Sequence, residues 1–287
     1  MRERARRFGI VPIGLALVVA LAVPAPAGAG VAALEAELQA FAHTGGPELD
    51  WVGEQVARNE TAGRLEHLTH WGAGEDHASL GIGHFIWYPD GRAGPFRESF
   101  PELIAFLEAR GVALPAWLTP ATPCPWPDRD AFRAATHDQR MIELRRLLAA
   151  TTAEQVAFLA RRLARALPEI LDAAPAEKHA TLEGRIARLL RAPDGGLAAA
   201  GVYALVDYVN FKGEGTAEGE RYEGEGWGLL QVLAAMPEDA PDARAAFAAA
   251  AAAVLARRVA LAPPERRETR WLDGWLRRVE TYRTAGG

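Results

Sequence analysis

Apolar residues recur at helical spacing over two early runs, residues 32–42 and 48–60, and the second opens at Pro47, where a first helical turn tolerates proline. Glu60 closes that second run. Over residues 65–88 the pattern changes to strand and turn, and it ends at Pro89-Asp90-Gly91, three residues that each favour a reversal. Within that stretch, residues 78–88 alternate apolar and other positions and read as a short half-buried strand. Ser99-Phe100-Pro101-Glu102 has the form of a capping box for a helix that stops at Gly111. Five prolines in residues 115–127 surround Cys124 and Trp126 and predict a loop without regular structure. Helical patterns resume over residues 139–149, 153–166, 176–191, 197–211, 227–236, 240–258 and 265–282. Between the last of these, residues 213–226 alternate glycine with glutamate, which forbids a stable helix and predicts a mobile surface loop. The pattern as a whole predicts a mainly α chain with one small β-hairpin, in the α+β class.

The N-terminus adds a compartment. Arg2, Arg4, Arg6 and Arg7 precede an apolar run over residues 10–23 and then Pro24-Ala25-Pro26-Ala27-Gly28-Ala29. A basic start, a short apolar stretch and an Ala-x-Ala site describe a secretory signal peptide over residues 1–29, cleaved after Ala27 or Ala29. The apolar run falls short of the ~20 residues that a membrane span needs. The alanine run at residues 245–256 is closed by Arg257-Arg258 and suits a packed helix better than a bilayer. The expectation is a periplasmic or secreted protein without stable membrane insertion, whose residues 30–287 form one domain with a large helical insertion at about 91–200.

Cys124 is the single cysteine, so no internal disulfide can form and the core must carry the stability. A net charge of −5 and a pI near 5.9 argue against a nucleic-acid partner, which calls for a basic face, and against an anionic membrane surface.

The candidate chemistry lies around Gly81-Ile82-Gly83-His84. Glycines on both sides of Ile82 let another backbone or a ligand come close. Upstream stand Glu60 with Gly63 close behind it, then Glu75, Asp76 and Ser79. In this order the residues resemble the phage-type lysozymes of the lysozyme-like superfamily, over residues 50–87 and more faintly over 203–211. Two departures are visible: Ser79 stands where that family has Thr, and Glu75 falls slightly later than the family's acidic residue.

The resemblance implies a lysozyme-like fold and an exported glycoside hydrolase that cleaves β-1,4 links of peptidoglycan or a related amino-sugar polymer without a cofactor. It implies Glu60 as general acid, Glu75 or Asp76 with Ser79 positioning water, and His84 paired with the helix carboxylate. The macrodipole at a helix C-terminus and an apolar cleft predict a raised pKa for Glu60. A carboxyl separation of ~6.5–9.5 Å would predict inversion, and ~5–5.5 Å retention.

Trp71, Trp87, Tyr88 and Trp227 offer ring faces for stacking on sugars. Gly228-Leu229-Leu230-Gln231 is similar to the Gly-Leu-Met-Gln segment of lytic transglycosylases, where the Gln touches saccharide, which makes Gln231 a candidate contact. Asn210 either lines the same groove or caps its helix. Asp207 is expected to pair with an arginine, because a buried carboxylate left alone is too costly. Arg221 and Tyr222 stand where a loop would close over substrate. The acidic loop itself offers groups for calcium or a cationic polymer such as chitosan, although it lacks the regular ligand positions of a calcium loop.

Two other enzyme chemistries compete. His67, His70 and His77, with Glu66 and Asp76, could form a zinc site, but His-Glu-x-x-His is missing and the region reads as hairpin, so no metal is assigned. A lytic transglycosylase would need only Glu60. The non-enzymatic alternative is a saccharide-binding or scaffold protein that has lost chemistry, in which no second polar group needs to face Glu60.

Overall fold

The computed structural model describes residues 29–94 and 96–286. The signal-peptide expectation lies almost wholly outside the described residues. These residues carry eleven α-helices and five short strands. The helices are α1 (Ala29–Thr44), α2 (Pro47–Thr61), α3 (Phe100–Ala109), α4 (Arg129–Ala134), α5 (Gln139–Ala150), α6 (Thr152–Asp172), α7 (His179–Leu190), α8 (Ala199–Lys212), α9 (Leu229–Ala235), α10 (Ala243–Leu261) and α11 (Thr269–Thr284). The strands are β1 (Thr69–His70), β2 (Ala78–Leu80), β3 (Phe85–Trp87), β4 (Arg221–Tyr222) and β5 (Glu225–Gly226).

The long helix α6 organises the packing. Its apolar face, including Val156, Leu163, Leu167 and Ile170, is buried, and it meets α1, α2 and α8. One contiguous core runs from Leu34 to Tyr282 and takes in Ile104, Leu144, Leu163 and Leu189. Residues 91–200 therefore share their hydrophobic interior with the rest of the chain. A second contact region joins α10 and α11, and α11 also packs on α8. Among the described residues no helix is long and apolar enough to cross a membrane.

The β region is larger than one hairpin. β1, β2 and β3 form an antiparallel sheet in that order, with Ser79 opposite His70 on one side and Ile86 on the other. The Gly-Ile-Gly-His run is not strand but the four-residue turn between Leu80 and Phe85. Its glycines let neighbouring side chains pack close. Gly81 has φ +67°, and a Cβ there would collide with the Gln155 amide; a Cβ on Gly83 would collide with the Phe85 ring. Gln155 Oε1 accepts the Ile82 N–H at 2.9 Å, and its Nε2 donates to Leu148 O at 2.7 Å.

Two local expectations are corrected and a third is borne out. Ser99 precedes α3 but does not cap it: its hydroxyl accepts the Ile86 N–H at 3.0 Å, and Glu102 pairs with Arg97. The acidic segment carries the β4–β5 hairpin, pinned by Glu225 to Arg257 on α10. The proline-rich stretch is irregular, as expected, but it is tied to the sheet through Cys124 N–H to Tyr88 O at 2.9 Å and Trp87 Nε1 to Thr122 O at 3.0 Å.

Candidate functional site

Helix α2 places Glu60 in its last turn, just before Ala62 closes the helix in a left-handed conformation. From there the Glu60 side chain, 8% exposed, points into the junction of the 81–84 turn, α8 and α11. Three donors hold it. His84 Nε2 lies 2.7 Å from Oε2, Arg278 Nη2 donates to Oε1 at 2.5 Å, and Asn210 Nδ2 donates to Oε1 at 3.1 Å. Asn210 Nδ2 also reaches Ile82 O at 2.8 Å, so its side chain couples the turn to the carboxylate and does not cap α8, which ends at Gly213.

Behind this carboxylate lies a second one. Asp207 is fully buried and accepts from Arg278 Nε and Nη2, both at 2.9 Å, from Tyr282 Oη at 2.6 Å and from Asn59 Nδ2 at 3.2 Å. Arg278 thus serves two carboxylates with one planar fork, the geometry that suits guanidinium. Its pKa is raised: burial opposes the charge, but Asp207 and Glu60 outweigh it.

The ionisation of Glu60 is opposite to the sequence expectation. Burial works to raise its pKa, but the His84 hydrogen bond and the Arg278 charge pull it down to about 2. Contact with a guanidinium and an imidazole prevails over the helix macrodipole and burial together. His84 shifts the other way. Its hydrogen bond to Glu60 raises its pKa despite partial burial, and the charge of Glu75 adds to the effect. The imidazole is 51% exposed, on a backbone with φ +47°, a left-handed conformation that few residues with a Cβ adopt.

His84 and Asn210 border a cleft of about 580 Å³. It is lined by Ile86 of the sheet, Asn210 and Lys212 of α8, Arg162 of α6, and Glu214, Glu220, Trp227 and Arg258. Burial raises the pKa of Glu214 and, with the charge of Glu214, that of Glu220. A space of this size suits several sugar rings or a drug-sized ligand.

The remaining predicted residues divide. Ser79 shares the outward face of the sheet with Ile86, which lines the cleft. Glu75 is exposed and turned back on its own loop, accepting the Gly72 N–H at 3.0 Å. Asp76 is exposed, 3.8 Å from Arg92. Neither carboxylate bonds to Glu60 among the described residues. Trp71, Trp87 and Tyr88 are core residues: Trp87 is fully buried against Phe100, Trp71 against Phe132, and Tyr88 packs on His77. They offer no free ring face to a sugar. Trp227 reaches the cleft wall, but Arg258 covers its ring at 4.0 Å. Tyr222 donates to Glu268 at 2.9 Å, and exposed Arg221 reaches Gly224 O. Gln231 is a structural bracket, with Oε1 accepting the Gly228 N–H and Nε2 donating to Gly215 O. His67 meets Thr61 O and His77 packs between Tyr88 and Phe96, and among the described residues no three His, Cys, Asp or Glu side chains gather as a metal site.

Sequence reasoning did not identify Arg278, Lys212, Arg258 or Gln155. The one available signal was Asp207, whose place in an apolar helix demanded an arginine without saying which. No family model matches the chain, and neither does any curated protein or solved structure.

Proposed function

We propose that this protein cleaves β-1,4 glycosidic links of peptidoglycan or a related amino-sugar polymer outside the cytoplasm, on a lysozyme-like frame, with Glu60 serving the leaving oxygen. The observation that carries this reading is the hydrogen bond between buried Glu60 and His84, the latter lining the cleft. It places a buried carboxylate and an imidazole with a raised pKa in one hydrogen bond, beside a space large enough for a glycan. The resemblance of residues 50–87 to phage-type lysozymes supports the same assignment.

Glycoside cleavage needs a proton at the leaving oxygen. Glu60 alone does not hold one at neutral pH, because its pKa is about 2. His84 stores it. A saccharide lying over the half-exposed imidazole removes water from the ion pair, which disfavours both charges and drives the proton from Nε2 to Oε2. Arg278 and Asn210 keep the carboxyl in one orientation while this happens. Ser79 is the group that holds a water on the sheet's outward face.

One observation favours a second reading, a lytic transglycosylase. Glu75 is folded back on Gly72 and does not line the cleft, and a sugar's own hydroxyl can attack in place of water. Incubation of the purified protein with peptidoglycan and with chitosan, followed by product masses, tests both. Reducing ends identify hydrolysis and anhydro ends identify transglycosylation. Glu60→Gln is expected to abolish either; an unchanged rate in that variant, or no cleavage of either polymer by the parent protein, overturns the proposal.

A further inference from the structure

Of the 32 Lys and Arg residues in the chain only two are lysine, Lys178 and Lys212. Lys178 is exposed in the short helical turn Ala176–Lys178. Lys212 ends α8, is 9% exposed and lines the cleft. Its Nζ is met by ring faces rather than by a carboxylate: it lies 3.4 Å from the Trp275 ring centre and 4.0 Å from that of Phe211. The buried carboxylates of the region are committed to guanidinium groups, Glu268 to Arg258 and Glu60 and Asp207 to Arg278. Lys212 is thus a buried amine on a cleft wall without an ion pair among the described residues.

The charged groups facing it favour the free amine. Burial is the main cause, and Arg258 from α10 and Arg278 from α11 add repulsion; Glu268, ahead of α11, opposes them, and together they hold the pKa down to about 7. The ring faces favour the ammonium, but burial of a lysine is the larger effect. An arginine in this place would stay charged at any pH a protein survives, so lysine is the cation that can give up its proton here.

We propose that Lys212 is a carbonyl-capturing amine, which condenses inside the cleft with an aldehyde such as the open-chain end of a reducing sugar. The Nζ lone pair attacks the carbonyl carbon to give a carbinolamine. Water then leaves, carrying the former carbonyl oxygen and both amine protons, and a C=N bond remains. No electrons are exchanged. Glu220, which lines the same cleft with its Oε2 against Gly213 and its pKa raised by burial, is the proton donor for the departing oxygen. The assignment is independent of glycoside cleavage: a chain that cuts no polymer can still capture an aldehyde, and loss of capture leaves the Glu60 pair intact.

The test uses the intact protein with glycolaldehyde and cyanoborohydride at pH 7, and reads each lysine by peptide mass. Lys178 is the internal control, because an ordinary exposed lysine is almost wholly protonated at that pH. Lys212 is expected to label at least roughly tenfold faster than Lys178 in the folded chain. In denaturant the two are expected to label alike. A smaller preference in the folded protein, or a preference that persists after unfolding, overturns the proposal.

Discussion

Arg278 Nη2 stands 2.5 Å from Glu60 Oε1, although the two residues lie 218 positions apart in the chain. The same guanidinium clasps Asp207, so α11 ties the end of α2 to α8 through one side chain. Removal of Arg278 leaves fully buried Asp207 without a cation and nearly buried Glu60 with His84 as its one charged partner among the described residues. Arg278→Met is therefore expected to destabilise the fold by about 3–5 kcal/mol, the range for breaking a buried pair from one side. Urea denaturation of the two proteins measures it. A loss under about 1 kcal/mol would mean that the carboxylates find water or another partner.

The acid limb of stability follows from Glu60. Its folded pKa of about 2 lies below the ordinary 4.5, so the charged form is the one the fold prefers. A depressed carboxylate contributes stability above its unfolded pKa and loses it as pH falls through the folded one. The contribution, on the order of 3 kcal/mol, is thus expected to vanish between pH 4.5 and about 2. Unfolding free energies measured across that window decline more steeply in the parent than in Glu60→Gln. Equal slopes would place the acid sensitivity elsewhere.

Much of the frame was legible because it is local. Apolar spacing marked α1, α2 and α5 to α11, and the Asp207 environment called for an arginine. The β4–β5 hairpin was hidden because its glutamates read as solvated, whereas Glu225 is held by Arg257 and the segment packs through Tyr222 and Gln231. Six-residue α4 escaped notice beside the prolines, although Asp128 caps it by accepting the Ala131 N–H. Ser99 and the Gly-Ile-Gly-His run were misplaced because each spends its hydrogen bonds on another element, Ser99 on β3 and the turn on α6. Sequence order located Glu60 and His84. It could not give the ionisation of Glu60, which depends on a guanidinium brought in by tertiary folding.

The proposed proton path makes a separate prediction for His84. If the imidazole stores the proton that Glu60 delivers, His84→Gln keeps a hydrogen bond to the carboxylate but cannot carry a proton. The expected result is a fall in kcat of roughly 10²-fold or more with KM little changed. On the proposed function, the alkaline limb of the parent protein's activity should follow loss of the His84 proton, above the ordinary histidine value of 6.5 because the pKa is raised. The ion-pair stabilisation has the same direction: it is complete below 6.5 and is lost as pH rises through the folded pKa. A parent pH profile without that limb, or a variant as active as the parent on peptidoglycan, would remove His84 from the proton path.

The turn that carries His84 depends on contacts at its back. Gly81 needs φ +67° and has no space for a Cβ beside Gln155, whose amide takes the buried Ile82 N–H. Gly81→Ala combines backbone strain with displacement of that amide and is expected to cost about 1–3 kcal/mol. Gln155→Leu leaves the Ile82 N–H without its acceptor at a similar cost, about 1–3 kcal/mol. Because both changes act on one hydrogen bond, the double variant should lose less than the two single losses added together. Strict additivity in a denaturation cycle would show that Gly81 is required for its conformation alone, and that Gln155 does not hold the turn on which His84 meets Glu60.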